Sequence, residues 1–174
     1  MTPEAIRLLF GYTYAAFDKV WDCILSLTDA QFVEDLPYSI GSIRNHVVHL
    51  MSAERRWVAR LQPGTPLPDQ IKYGDFSTKA AVSAHYEQIR ADVLTYINAL
   101  DETALNAVID WNLPHRGIAE RHPRYALLLH LANHATDHRS QILAMIHTHF
   151  TAPTVEHDLV FYLLEQEKTP TDSK

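Results

Sequence analysis

The stretch "HLANHATDHRSQ", residues 130–141, carries three histidines at four-residue intervals: His130, His134 and His138. Four residues advance an α-helix by about 40° beyond one turn. On a helix, neighbouring members of this series therefore present two imidazoles to one point. That is the device used by two-histidine zinc helices. Spacing alone does not choose between the pairs 130/134 and 134/138. A second stretch, "HVVH", places His46 and His49 three residues apart and on one face of another helix. Two nitrogens from one helix and one from another make a three-nitrogen site. Three protein ligands leave a metal ion with open coordination positions, the pattern of catalytic rather than structural sites. The rival reading is a set of hydrogen-bonded core or surface histidines.

Other chemistries lack their residues. A di-iron bundle uses Glu-x-x-His pairs, and the chain contains none. It also has no His-Glu-x-x-His, no phosphate loop ending in Gly-Lys-Ser/Thr and no Gly-x-Ser-x-Gly. Five glycines in 174 residues leave little from which to build nucleotide loops. The single cysteine, Cys23, rules out an intramolecular disulfide and Cys-rich zinc fingers, and reads as a small buried hydrophobe. The formal charge of −6, with no dense Lys/Arg run, disfavours generic nucleic-acid binding. No apolar run approaches the roughly 20 residues that span a bilayer. The N-terminus does not read as a signal peptide, so a cytoplasmic location and no membrane partner are expected. The other histidines (His85, His115, His122, His147, His149 and His157) read as surface or helix-end residues.

The elements that must position these groups are long and amphipathic. The length fits one domain, 1–166, with a disordered tail over 167–174. Thr2 can cap a first helix, with Pro3 in its first position and Glu4 at its positive end. Its inward stripe is Ile6, Leu9, Phe10, Tyr14, Phe17, Val20, Trp21 and Ile24. A loop containing Pro37 follows. A second helix, capped by Ser39 or Ser42, turns Ile43, His46, Val47, Leu50, Trp57 and Leu61 inward and stops at "PGTPLPDQ". The connection over 62–76 is long and is expected to cross one end of the assembly. A third helix starts at Ser77 as cap. "NAVIDW" and "GIAERH" flank "NLPHRG" as a small irregular hairpin. The fourth long helix begins near Pro123, and a short last one follows Thr154. The fold class expected is all-α: a four-helix bundle with a small hairpin before the fourth long helix and a short extra C-terminal helix.

"SIGSIRNH", "HLMSAERRW" and "NHATDHRSQ", with the ending "APTVEHDLVFYL", resemble the DinB (DinB/YfiT-like) family over nearly the whole chain. The resemblance implies a four-helix bundle, commonly a homodimer, that holds a divalent metal ion on three histidines. Carried onto this sequence, the ligands are His49, His134 and His138. His46 and His130 become additional histidines, His130 either supporting the site or simply packing. Arg139 and Gln141 match the His-Arg-x-Gln pattern of the family. Arg139 can bind an anionic group, but a salt bridge or interface contact is the plainer expectation. Glu54 and Asp137 can orient a ligand imidazole; surface solvation is the plainer expectation for each. Trp57 and Trp111 can line a pocket, with Trp57 expected in the core. Tyr12 and Tyr14 can reach the site, but nothing selects them.

Related members of the superfamily imply a function: a metal-dependent S-transferase using a low-molecular-weight thiol, or a hydrolase acting on a small molecule. Zinc or nickel is the expected ion, although imidazole suits several metals. No catalytic base is evident in the sequence. The alternative is a non-catalytic, metal-bearing bundle that binds a small molecule or a protein partner. Histidine ligates as the neutral imidazole, so with an ordinary pKa of about 6.5 metal affinity is expected to fall as pH drops through that region.

Overall fold

The computed structural model describes residues 1–168 and is mostly helical, with one small two-stranded sheet. Helix α1 spans Pro3–Leu25, and Thr2 Oγ1 accepts from the Ala5 amide at its start. Its expected stripe is buried at Ile6, Phe10, Tyr14, Phe17, Val20 and Ile24, with Leu9 and Trp21 packed at the margin. The loop expected next contains a short helix, α2 (Asp29–Val33), closed by a reciprocal Thr28–Gln31 capping box. Helix α3 covers Ile43–Leu61. Ser42, not Ser39, caps it by accepting from the Asn45 amide. Gly41 just before it has φ +95°, and a Cβ there would meet Asp35 Oδ1 at 2.5 Å. The turn that aims α3 therefore needs glycine.

Helix α4 spans Lys79–Asn98. Its cap is Thr78 rather than Ser77: Thr78 has the extended backbone of an N-cap, and its hydroxyl accepts from the Ala81 amide. A second unanticipated short helix, α5 (Glu102–Asn106), is capped by Asp101. Strands β1 (Val108–Leu113) and β2 (Ile118–Pro123) form the expected hairpin, in antiparallel register from Val108↔Pro123 to Leu113↔Ile118. Helix α6 covers Arg124–Phe150. The last helix, α7, spans Leu159–Lys168 and so starts later than expected after Thr154. It also includes Glu167 and Lys168, which the sequence reading placed in a disordered tail. The rest of that tail, 169–174, lies outside the described residues.

Each long helix packs against two others: α1 against α4 and α6, and α3 against α4 and α6. The 62–76 connection does not cross an end. It returns along the flank of α3, where Arg55 and Arg56 donate to the carbonyls of Asp69 and Pro68 and Ser52 Oγ accepts from the Ile71 amide. Arg44, near the start of α3, then meets the Phe76 carbonyl. Chain direction follows from this path. Helix α4 begins beside the start of α3, and Tyr96 near its end donates to the Leu61 carbonyl, so the two are parallel. Arg7 on α1 reaches the carbonyls of Asn98 and Leu100, making α1 antiparallel to α4. Arg124, which opens α6, donates to the Leu61 carbonyl at the far end of α3, making those two antiparallel. The histidine-bearing faces of α3 and α6 meet, with His46 against His138 and His49 against His134.

Helix α7 lies on α1, with Tyr162 against Tyr12 (ring centroids 6.0 Å apart) and Glu165 paired to Lys19. Among the described residues, no helix is long and apolar enough to cross a membrane.

Candidate metal centre

Helix α3 supplies His49, and α6 supplies His134 and His138. One ring nitrogen from each lies within 4.8 Å of the other two. His49 Nε2 and His134 Nε2 are 3.1 Å apart. The His138 ring centroid is 4.7 Å from that of His49 and 4.5 Å from that of His134. Two nitrogens bound to zinc at tetrahedral angles lie about 3.3 Å apart, so the spacing suits a shared ion. The donor set is chemically apt as well: three imidazoles with no thiolate, which suits zinc, nickel, copper or iron.

The electrostatics of the cluster keep these rings neutral. Burial, followed by the neighbouring His138, His49 and His130, lowers the pKa of His134 to about 3. Burial, then His49 and His46, lowers that of His138 to about 4. Burial also lowers that of His49. Ligation needs the neutral ring. The region near pH 6.5 expected for proton competition therefore moves to lower pH.

His46 is inside, at 0% exposure, with its Nδ1 2.9 Å from His138 Nδ1. His130 is exposed and outside the trio, its ring edge-on to Trp57 at 5.0 Å and 5.9 Å from His134. Trp57 is buried as expected and packs on Trp111, whose Nε1 donates to His122 Nδ1. These aromatic rings run from His130 to the hairpin and form a wall beside His134.

Glu54 and Arg139 correct the sequence reading. Glu54 is not solvated; it is 1% exposed, and its two carboxylate oxygens accept from Tyr14 Oη and Tyr86 Oη at 3.1 and 3.2 Å. Burial raises its pKa to about 7, against the opposing pull of the two tyrosine hydrogen bonds. Its place on the apolar stripe with Val47, Leu50, Trp57 and Leu61 was the available signal. Arg139 is 0% exposed and makes no surface contact. It donates to the Thr13 carbonyl, Tyr12 Oη and Thr136 Oγ1, joining α1 to α6. Tyr12 in turn donates to the His157 carbonyl, and His157 is half-buried rather than superficial. Tyr12 and Tyr14 are thus engaged away from the imidazole cluster. Asp137 is exposed and accepts from Gln141 Nε2. His85 and Cys23 are half-buried; His115, His147 and His149 are exposed.

Among solved structures, a DinB family member from Shewanella denitrificans is similar over 99% of this chain and 92% of its own, at 19% identity and a TM-score of 0.54. At that identity the likeness shows the fold alone. No curated protein matches the chain. The model of the DinB family matches residues 1–154, and the chain belongs to the DinB family.

Proposed function

We propose that this protein is a four-helix bundle that holds one divalent metal ion on His49, His134 and His138 and acts as a metal-dependent enzyme on a small molecule. The observation that carries this reading is the convergence of three neutral imidazoles from two opposed helices. An ion so held, when bound, supplies Lewis acidity toward water or a thiol. The chain's own residues would supply the rest. The three imidazoles fix the ion, and the wall of Trp57, Trp111 and His130 borders one side of the centre. Thiol-dependent S-transfer, with a low-molecular-weight thiol as co-substrate, or hydrolysis is the chemistry this arrangement serves. Zinc and nickel suit the all-nitrogen donor set.

A homodimer in the cytoplasm, with no nucleic-acid partner, completes the proposal. The charge of −6 supports the last point. A second reading, a non-catalytic metal-bearing bundle, draws on one observation: Glu54, the buried carboxylate nearest in sequence to His49, is engaged by two tyrosines.

The test compares metal-stripped protein with zinc- and nickel-loaded protein. Each is screened with small thiols plus electrophiles, and with ester and amide substrates. Turnover that requires the metal and is lost in His134→Ala is expected. Metal binding without turnover across the screen would favour the second reading.

A further inference from the structure

We infer that His46 is a positioning residue for the metal centre: its Nδ1 accepts the Nδ1–H of His138 and so presents His138 Nε2 as the metal-binding nitrogen. This rests on the metal reading above but concerns a residue outside the ligand trio. A neutral imidazole carries one N–H and one lone pair. Two Nδ1 atoms 2.9 Å apart share a single proton between them. If the proton sits on His138, the Nε2 of that ring keeps its lone pair and can ligate. If it sits on His46, His138 must carry its own proton on Nε2 and is lost as a ligand through that atom.

Metal-bound histidines usually donate their other N–H to a fixed acceptor, which sets both tautomer and ring orientation. Here the acceptor that suits His138 is another imidazole rather than a carboxylate. His46 can serve because it is enclosed by packing and His138 is its hydrogen-bond partner, its Nε2 being buried without one. It is fully buried on α3, one turn before His49, and its ring centroid is 5.1 Å from that of His138. It thereby ties the ligand-bearing faces of α3 and α6 at a second point, beside the His49–His134 contact.

The test is zinc affinity by competition with a chromophoric chelator, on wild type, His46→Phe, His46→Asn and His138→Ala. Phe keeps a ring but cannot accept. Asn places its amide oxygen the same number of bonds from the backbone as His Nδ1 and can accept. Loss of such a partner costs about 10- to 100-fold in metal affinity, which is the effect expected for His46→Phe. His46→Asn should recover most of that loss. Helix content of each metal-free variant, by circular dichroism, serves as the folding control. If His46→Phe does not fold, nitrogen-15 spectra of zinc-loaded wild type decide: His46 should carry its proton on Nε2 and none on Nδ1. The opposite tautomer would overturn the inference. So would wild-type affinity in His46→Phe. His46→Asn as weak as His138→Ala would make His46 a ligand and overturn the positioning role. If wild type itself binds no zinc, the metal reading fails and this inference falls with it; if His46 is a ligand, the metal reading stands with an altered ligand set; any other failure leaves that reading intact.

Discussion

Tyr14 Oη donates to Glu54 Oε2 at 3.1 Å in the centre of the protein, where Tyr86 Oη serves the other carboxylate oxygen. A buried carboxylate with two neutral donors and no direct cation is more easily accommodated protonated than charged. Its pKa accordingly rises from 4.5 to about 7.

That shift has a sign for stability. Between pH 4.5 and about 7 the folded protein keeps a proton on Glu54 that the unfolded chain has lost. Stability from this group is therefore fully present below pH 4.5 and disappears as pH rises through 7. The total is on the order of 3 kcal/mol. Glu54→Gln should remove it. Urea unfolding of both metal-free proteins at pH 5 and pH 8 measures the difference, and histidine contributions common to both cancel. The variant should gain on wild type by a few kcal/mol between the two pH values. An unchanged difference would mean that Glu54 titrates normally.

Metal affinity should depend on pH in an unusual window. Protons compete for an imidazole only below its pKa, and the pKa values of His134 and His138 are lowered to about 3 and about 4. Zinc affinity should hold nearly level from pH 8 to 6 and fall as pH approaches the lowered values. Competition titrations across pH 5–8 check this. A steep fall beginning near pH 7 would contradict it.

Arg139 should matter to folding more than to any ligand. It joins the Thr13 carbonyl and Tyr12 on α1 to Thr136 on α6. Arg139→Met should cost about 2 kcal/mol or more in unfolding free energy, because it removes hydrogen bonds to the buried Thr13 carbonyl and Tyr12 hydroxyl and to the part-buried Thr136 hydroxyl. Arg139→Lys should also destabilise, since an ammonium cannot span all three with the planar fork of arginine. Denaturant unfolding supplies both values. A loss below about 1 kcal/mol in Arg139→Met would show that the network is dispensable.

The cap of α4 offers a direct check on one local assignment. Thr78→Ala should cost about 1 kcal/mol, and Ser77→Ala close to nothing. Equal effects would contradict Thr78 as the capping side chain.

Much of the architecture was legible because it is periodic. The stripe from Ile6 to Ile24, the cap at Thr2 and the hairpin before Pro123 all stand where the pattern places them. Helices α2 and α5 were missed because five residues carry too little period to detect, although the Thr28–Gln31 box was there to read. The path of 62–76 depends on Arg55 and Arg56 reaching backbone carbonyls, which no local pattern encodes. The same holds within the site. Periodicity put His46 and His49 on one face and left the 130/134 and 134/138 pairs open; the family resemblance pointed to 134/138, and the approach of α3 to α6 brings that pair together with His49 and leaves His130 outside. Glu54 was misread because its partners, Tyr14 and Tyr86, come from two other helices.

The proposed function depends on whether His49, His134 and His138 hold a metal ion. Elemental analysis of tag-free protein never exposed to a nickel column, beside His138→Ala, tests it most directly. About one zinc or nickel per chain is expected in wild type, with a large loss in the variant. Little metal in both, even after zinc or nickel is added, would contradict it and leave the three imidazoles as packing and hydrogen-bonding groups.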